Sequence, residues 1–135
     1  MKITLDTNVL VSGLLQPFGP SGQIVRLAAG GELVLCHDAR ILAEYREVLL
    51  RPKFHFDPER IGALLEQIRA GGFPVMARPL TIGLPDPDDE PFLEIALAGG
   101  ARCLVTGNAK HYPVQARQGV EVLAPRPYIE LFRGE

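Results

Sequence analysis

Short apolar runs rich in β-branched residues alternate along this chain with helix-length patterns, and that alternation constrains the fold more than any other feature. The clearest runs are KITLD at 2–6, ELVLC at 32–36 and ARCLVTG at 101–107, with weaker ones at FPVMA 73–77 and VEVLA 120–124. Strands separated by helices cannot close as hairpins; they favour a largely parallel sheet in an α/β fold. At 135 residues, the chain is expected to form a single domain, 1–135, able to bury roughly 68% of its unfolded surface.

Helix boundaries follow from capping chemistry. In HDARILAEYREVLLRP, Asp38 is the N-cap, Pro52 the stop, and Ile41, Leu42, Tyr45, Val48 and Leu49 fall on one face. In FDPERIGALLEQIRAGG, Asp57 caps, Pro58 takes the first turn, and Ile61, Leu64, Leu65 and Ile68 form the apolar stripe up to Gly71. A further helix begins among the acids of DDEPFLEIALAGG and ends at Gly99 and Gly100, and a short one covers Ser21 to Ala29.

Composition narrows the setting. Cys36 and Cys103 both lie inside apolar runs, as free buried thiols do, which points to a reducing, cytoplasmic environment without disulfides. There is no signal-peptide pattern and no apolar run near the roughly 20 residues a membrane span needs. Lys and Arg number 14 against 16 Asp and Glu, a net charge of −2, so a polyanionic substrate would need a local basic rim or a metal ion.

The polar residues that interrupt the apolar runs carry the chemistry. In a parallel α/β sheet the functional crevice lies beyond the carboxyl ends of the strands, where strand order reverses. Asp6 ends the first run and is expected to enter that crevice, its alternative being an N-cap for NVLVSGLL. On the 38–51 helix, 100° per residue sets Glu44 at the border of the apolar stripe and Glu47 opposite it. Glu44 therefore looks along the sheet edge, or else serves as a solvated i,i+4 partner of Arg40. Asp86, Asp88, Asp89 and Glu90 crowd one helix entrance. The helix dipole accounts for one or two acids there, and four repel one another unless a cation relieves them or the loop is simply solvated. Thr106, Gly107 and Asn108 end another strand, either facing the crevice or forming a plain glycine turn, with Lys110 and His111 next. His37 and His55 read as structural.

Together, the LDTNVLVSGLL opening, a glutamate on the helix after the second strand, and the DPDDEPFLEIALAGGARCLVTG segment resemble the PIN-domain family, and more narrowly its VapC-like members, the toxins of toxin–antitoxin systems. The likeness runs over nearly the whole chain in the expected order. It implies a three-layer α/β/α fold with about five parallel strands in the order 3-2-1-4-5, and a metal-dependent endoribonuclease acting on single-stranded or structured RNA with Mg²⁺ or Mn²⁺. Carried over by motif, Asp6, Glu44 and Asp89 are the acids, with Asp88 able to share the metal. Asp6 and Asp89 would be direct ligands and Glu44 a ligand or water-orienting base; Thr106 and Asn8 would hold them by hydrogen bonds. The chain departs from the pattern at Asn108, where an aspartate is usual; a neutral carbonyl oxygen there can orient water but adds no charge.

Lys110, His111 and Arg46 are the RNA-binding candidates, with Arg40, Arg51 and Lys53 available to extend the rim, although each alone reads as a solubilising charge. The resemblance also implies a cognate antitoxin covering the site, and a homodimer. Phe18, Tyr128, Ile129, Leu131 and Phe132 are apolar candidates for such surfaces unless the C-terminal segment packs on the core. A second class of function stays open through Asn108: a PIN-fold module that is catalytically weak or inactive and acts mainly through an antitoxin or other partner. A phosphatase of the haloacid type would favour D-x-D, and DTN supplies one acid.

Overall fold

The computed structural model describes residues 1–134. Its five strands are β1 (Lys2–Leu5), β2 (Val34–His37), β3 (Phe73–Pro74), β4 (Leu104–Val105) and β5 (Val122–Leu123). All four pairings are parallel and the order is β3-β2-β1-β4-β5, as expected from the resemblance. Six helices, α1 (Thr7–Leu15), α2 (Pro20–Ala29), α3 (Ala39–Leu49), α4 (Pro58–Gly71), α5 (Glu90–Gly99) and α6 (Pro125–Gly134), complete a three-layer α/β/α arrangement.

The strands are shorter than the apolar runs suggested. Glu32 and Leu33, read as the start of a strand, instead donate their backbone N–H groups to the carbonyl of Leu27 and close the turn after α2. Ladder pairing begins only where Lys2 meets Val34. The caps behave as read: the Asp38 carboxylate accepts from the Ile41 amide at 3.1 Å, and that of Asp57 accepts from Glu59, also at 3.1 Å.

Two contacts fix the helices that bring the site together. Tyr45, at the centre of the α3 stripe, is fully buried and donates its hydroxyl to the Leu5 carbonyl, pinning α3 to the last residue of β1. The loop between α1 and α2 folds so closely onto α2 that a Cβ on Gly22 would sit 2.1 Å from the Pro17 carbonyl oxygen. A Cβ on Gly13 would meet Val25 at 2.5 Å. Only glycine fits at such contacts.

Cys36 and Cys103 are both buried. Tyr128 and Ile129 are buried, and Leu131 and Phe132 pack against the core, so α6 belongs to the core rather than to an open surface. Phe18 stays 94% exposed. Among the described residues no helix is long and apolar enough to cross a membrane.

Candidate active site at the sheet switch point

Strand order reverses at β1, which has β2 on one side and β4 on the other, so the crevice opens beyond Leu5 and Val105. Asp6 follows β1 into it and is 6% exposed. Its Oδ2 accepts two hydrogen bonds, from the Thr106 hydroxyl at 2.9 Å and the Tyr112 hydroxyl at 3.0 Å. Asp6 occupies the N-cap position of α1 without making a capping hydrogen bond. The nearby amides of Thr7 and Asn8 still favour its ionised form. Burial outweighs all these donors and raises its pKa above the ordinary carboxylate value.

Glu44 comes in from α3 at the border position the helix geometry assigned to it. Glu47 faces solvent and pairs with Arg51 at 3.2 Å. Glu44 is not an i,i+4 partner of Arg40, because that guanidinium is drawn to Asp38 at 2.8 Å and Glu94 at 2.7 Å. Instead the Thr7 hydroxyl donates to Glu44 Oε2. Burial raises the Glu44 pKa, and the neighbouring charges of Asp6 and Asp88 add to the effect.

The four acids before α5 separate by role. Asp86 accepts from the Asp88 amide at 2.9 Å, opening a 3-10 turn over Pro87–Asp89, and Glu90 Oε2 takes the Leu84 amide at 2.9 Å. Asp88 is exposed. Asp89 is the one of the four on which the charge of Asp6 acts. Its buried Oδ2 has His111 Nδ1 3.2 Å away as an ion-pair neighbour. Burial, then the charge of Asp6, pushes the Asp89 pKa up to about 6.

The loop after β4 completes the crevice. The Asn8 Oδ1 accepts from the Gly107 amide at 3.0 Å, and the Asn108 amide donates to the Thr106 hydroxyl at 3.1 Å. The Asn8 side chain thus steadies the loop that carries Thr106, while its backbone amide favours the Asp6 carboxylate. A 3-10 turn at Ala109–His111 brings His111 to Asp89 and leaves Lys110 exposed. Arg46 is exposed beside Leu65, Glu66 and Arg69, at the groove between α3 and α4 and off the crevice.

Tyr112 was not among the sequence candidates. Nothing in its local pattern marks it, since its role depends on a turn that folds back onto β1, held by the Arg117 guanidinium donating to the Tyr112 carbonyl at 2.6 Å.

Among the described residues, no three His, Cys, Asp or Glu side chains converge tightly enough to ligate one ion in this conformation. The donor chemistry nonetheless suits a hard divalent cation: every candidate ligand is an oxygen, burial raises the pKa values of Asp6, Glu44 and Asp89, the charge of Asp6 adds to the shift of the other two, and one oxygen of Asp89 is buried with only His111 beside it.

Fold and site together define a parallel α/β protein with a carboxylate site at its topological switch point. The sequence pattern of the PIN domain matches residues 2–110, most of the chain, and the chain belongs to the PIN-domain family. No curated protein matches it. PIN domains are typically nucleases, and PIN nucleases generally use divalent metal ions.

Proposed function

We propose that this protein is a Mg²⁺- or Mn²⁺-dependent endoribonuclease. The observation that carries the reading is the buried Oδ2 of Asp89, with only His111 Nδ1 beside it at 3.2 Å and the charge of Asp6 acting on it, while the Asp6 carboxylate is already oriented by Thr106 and Tyr112. Asp6 and Asp89 would hold the ion, with Glu44 as a ligand or base and Asp88 at the rim. A divalent ion held there supplies charge neutralisation at the scissile phosphate and acidifies water.

The protein's own groups do the rest. Thr106 and Tyr112 fix the orientation of Asp6. Thr7 fixes the orientation of Glu44, which would be the group to take a proton from the attacking water. Lys110 and His111, on the loop that rims the crevice, would meet the RNA backbone, and Arg46 would be reached only by a strand that continues across α3.

The ordered resemblance of the motifs supports a role as toxin component of a toxin–antitoxin pair, with an antitoxin covering the acids, a homodimeric assembly and a cytoplasmic setting. A second reading is favoured by Asn108, which brings no charge to the position where an aspartate is usual: a PIN-fold module that binds a cation and a partner with little or no turnover.

Manganese binding, followed by electron paramagnetic resonance, tests the site. Binding should weaken at least tenfold in Asp6→Asn and in Asp89→Asn, and Asn108→Asp should tighten it. Affinity that is unchanged in both asparagine variants would remove the assignment.

A further inference from the structure

Asp6 is also one end of a cleft of about 500 Å³ that runs along α1 and is walled on the far side by Val48 and Phe54. That volume lies in the range, roughly 300–1,000 Å³, of pockets that take small-molecule-sized groups. Beyond Asp6 its lining is neutral. Asn8 and Ser12 line it at four-residue spacing on one face of α1, and Gln16, the residue just past the end of that helix, adds a third neutral polar group. Among the described residues the side chains of Ser12 and Gln16 make no hydrogen bond, whereas the Asn8 Oδ1 is already taken by Gly107. Leu15, on the same wall, is 53% exposed, a large apolar side chain open to solvent.

The opposite wall is aromatic. The 3-10 turn Pro52–Phe54 ends at His55, whose φ of 56° is left-handed, and this reversal lets Phe54 and Phe56 stack with centroids 5.5 Å apart and planes 15° from parallel. Lys53 Nζ lies 5.1 Å from the Phe54 centroid. The cleft therefore combines a carboxylate, free neutral hydrogen-bonding groups and the Phe54 ring, which is backed by Phe56 and has the Lys53 ammonium over it.

We infer that this cleft is a base subsite for single-stranded RNA: the nucleobase next to the scissile phosphate takes the place of Lys53 on the Phe54 ring, its edge meets Ser12 and Gln16, and the displaced Lys53 serves the adjoining phosphate. Single strands are bound by this combination of aromatic faces with backbone cations, and unstacked bases offer edges that a duplex hides. An apolar peptide side chain would use Leu15 and Phe54 but leave Ser12 and Gln16 unpaired, so the polar stripe favours a base. The inference deepens the nuclease reading and rests on it for the meaning of the neighbouring phosphate.

The test is binding of a short fluorescent single-stranded RNA to the full chain, measured by anisotropy in EDTA and again in Ca²⁺, with Phe54→Ala, Phe54→Trp and an RNA carrying one abasic position. Phe54→Ala should weaken binding about 5- to 150-fold, the range expected for loss of one base–aromatic stack. Phe54→Trp should restore it. The abasic substitution that most weakens binding to the parent chain should cost nothing further in Phe54→Ala, and Gln16→Ala should alter which base is preferred at that position. Thermal melts confirm that each variant is folded.

Parent binding that is absent, or that changes less than about twofold with both Phe54→Ala and every abasic position, overturns the inference and leaves the cleft to an apolar peptide side chain. RNA cutting is scored separately with Mn²⁺. Base-dependent binding without cutting removes the nuclease reading and keeps the subsite; cutting with binding indifferent to Phe54 does the reverse.

Discussion

Tyr112 donates its hydroxyl to Asp6 at 3.0 Å across 106 residues of chain, so the first strand's acid is oriented by a residue beyond the fourth strand. Asp6 is buried, and its two side-chain donors, with the Thr7 and Asn8 amides, offset part of the cost of its charge. Tyr112→Phe keeps the ring and removes one donor. Stability in urea at neutral pH should fall by about 1.5–3 kcal/mol, the usual range for a hydrogen bond to a charged group. The Asp6 pKa should rise further, and manganese affinity should drop about 10- to 100-fold, as for other residues that orient a ligand.

Asp89 gives the metal-free protein a pH dependence of defined sign. Its folded pKa of about 6 lies above the 3.8 of an unperturbed aspartate, so between these values the folded state binds more protons than the unfolded one. Its contribution is therefore most favourable at low pH and is lost as pH rises through about 6. Asp89→Asn should melt above the parent at neutral pH in EDTA, and the gap should close near pH 4. Adding Mn²⁺ should reverse the order at neutral pH, because only the parent keeps the carboxylate. Equal melting temperatures for the two proteins at every pH in EDTA would contradict this.

Glu94 holds the long connection between β3 and α5. It is 7% exposed, takes the Arg40 guanidinium at 2.7 Å on one oxygen and accepts the Leu80 amide at 3.2 Å on the other. Arg40 is about half exposed, so the pair is only partly shielded from water and its worth is discounted accordingly. Glu94→Ala should cost about 1–2 kcal/mol, and hydrogen exchange at the Leu80 amide should accelerate well beyond the global change.

Gly22 is a packing position. Any Cβ there collides with the Pro17 carbonyl, which is backbone and cannot rotate away. Gly22→Ala should destabilise the chain by about 1–3 kcal/mol in urea unfolding, whereas alanine at Gly62, where nothing lies within 4 Å of an added Cβ, should be neutral or stabilising because it favours the helix.

What the sequence disclosed depends on how local each determinant is. Asp38 and Asp57 announce their helices because a cap acts within three residues, and Glu44 was separable from Glu47 because a helix's angular period is fixed. Asp6 was conspicuous because a polar group interrupts an apolar run. The four acids before α5 were less legible: a loop that uses Asp86 and Glu90 for its own amides cannot be told from one that gathers all four around a cation. Strand ends were overrun because pairing partners, not apolar character, decide where a ladder stops. Tyr112 and Phe54 went unnoticed for the same reason, since each matters only through what lies opposite it in space.

The most direct measurement is cleavage of end-labelled single-stranded RNA by the purified protein in Mn²⁺ and in EDTA, beside Asp6→Asn, Asp89→Asn and Asn108→Asp. A nuclease built on this switch-point cluster cuts in Mn²⁺, stops in EDTA, and loses at least a hundredfold in rate in each of the first two variants while Asn108→Asp cuts at least as fast as the parent. Cutting that persists in folded Asp6→Asn, or that does not need the metal, would contradict it.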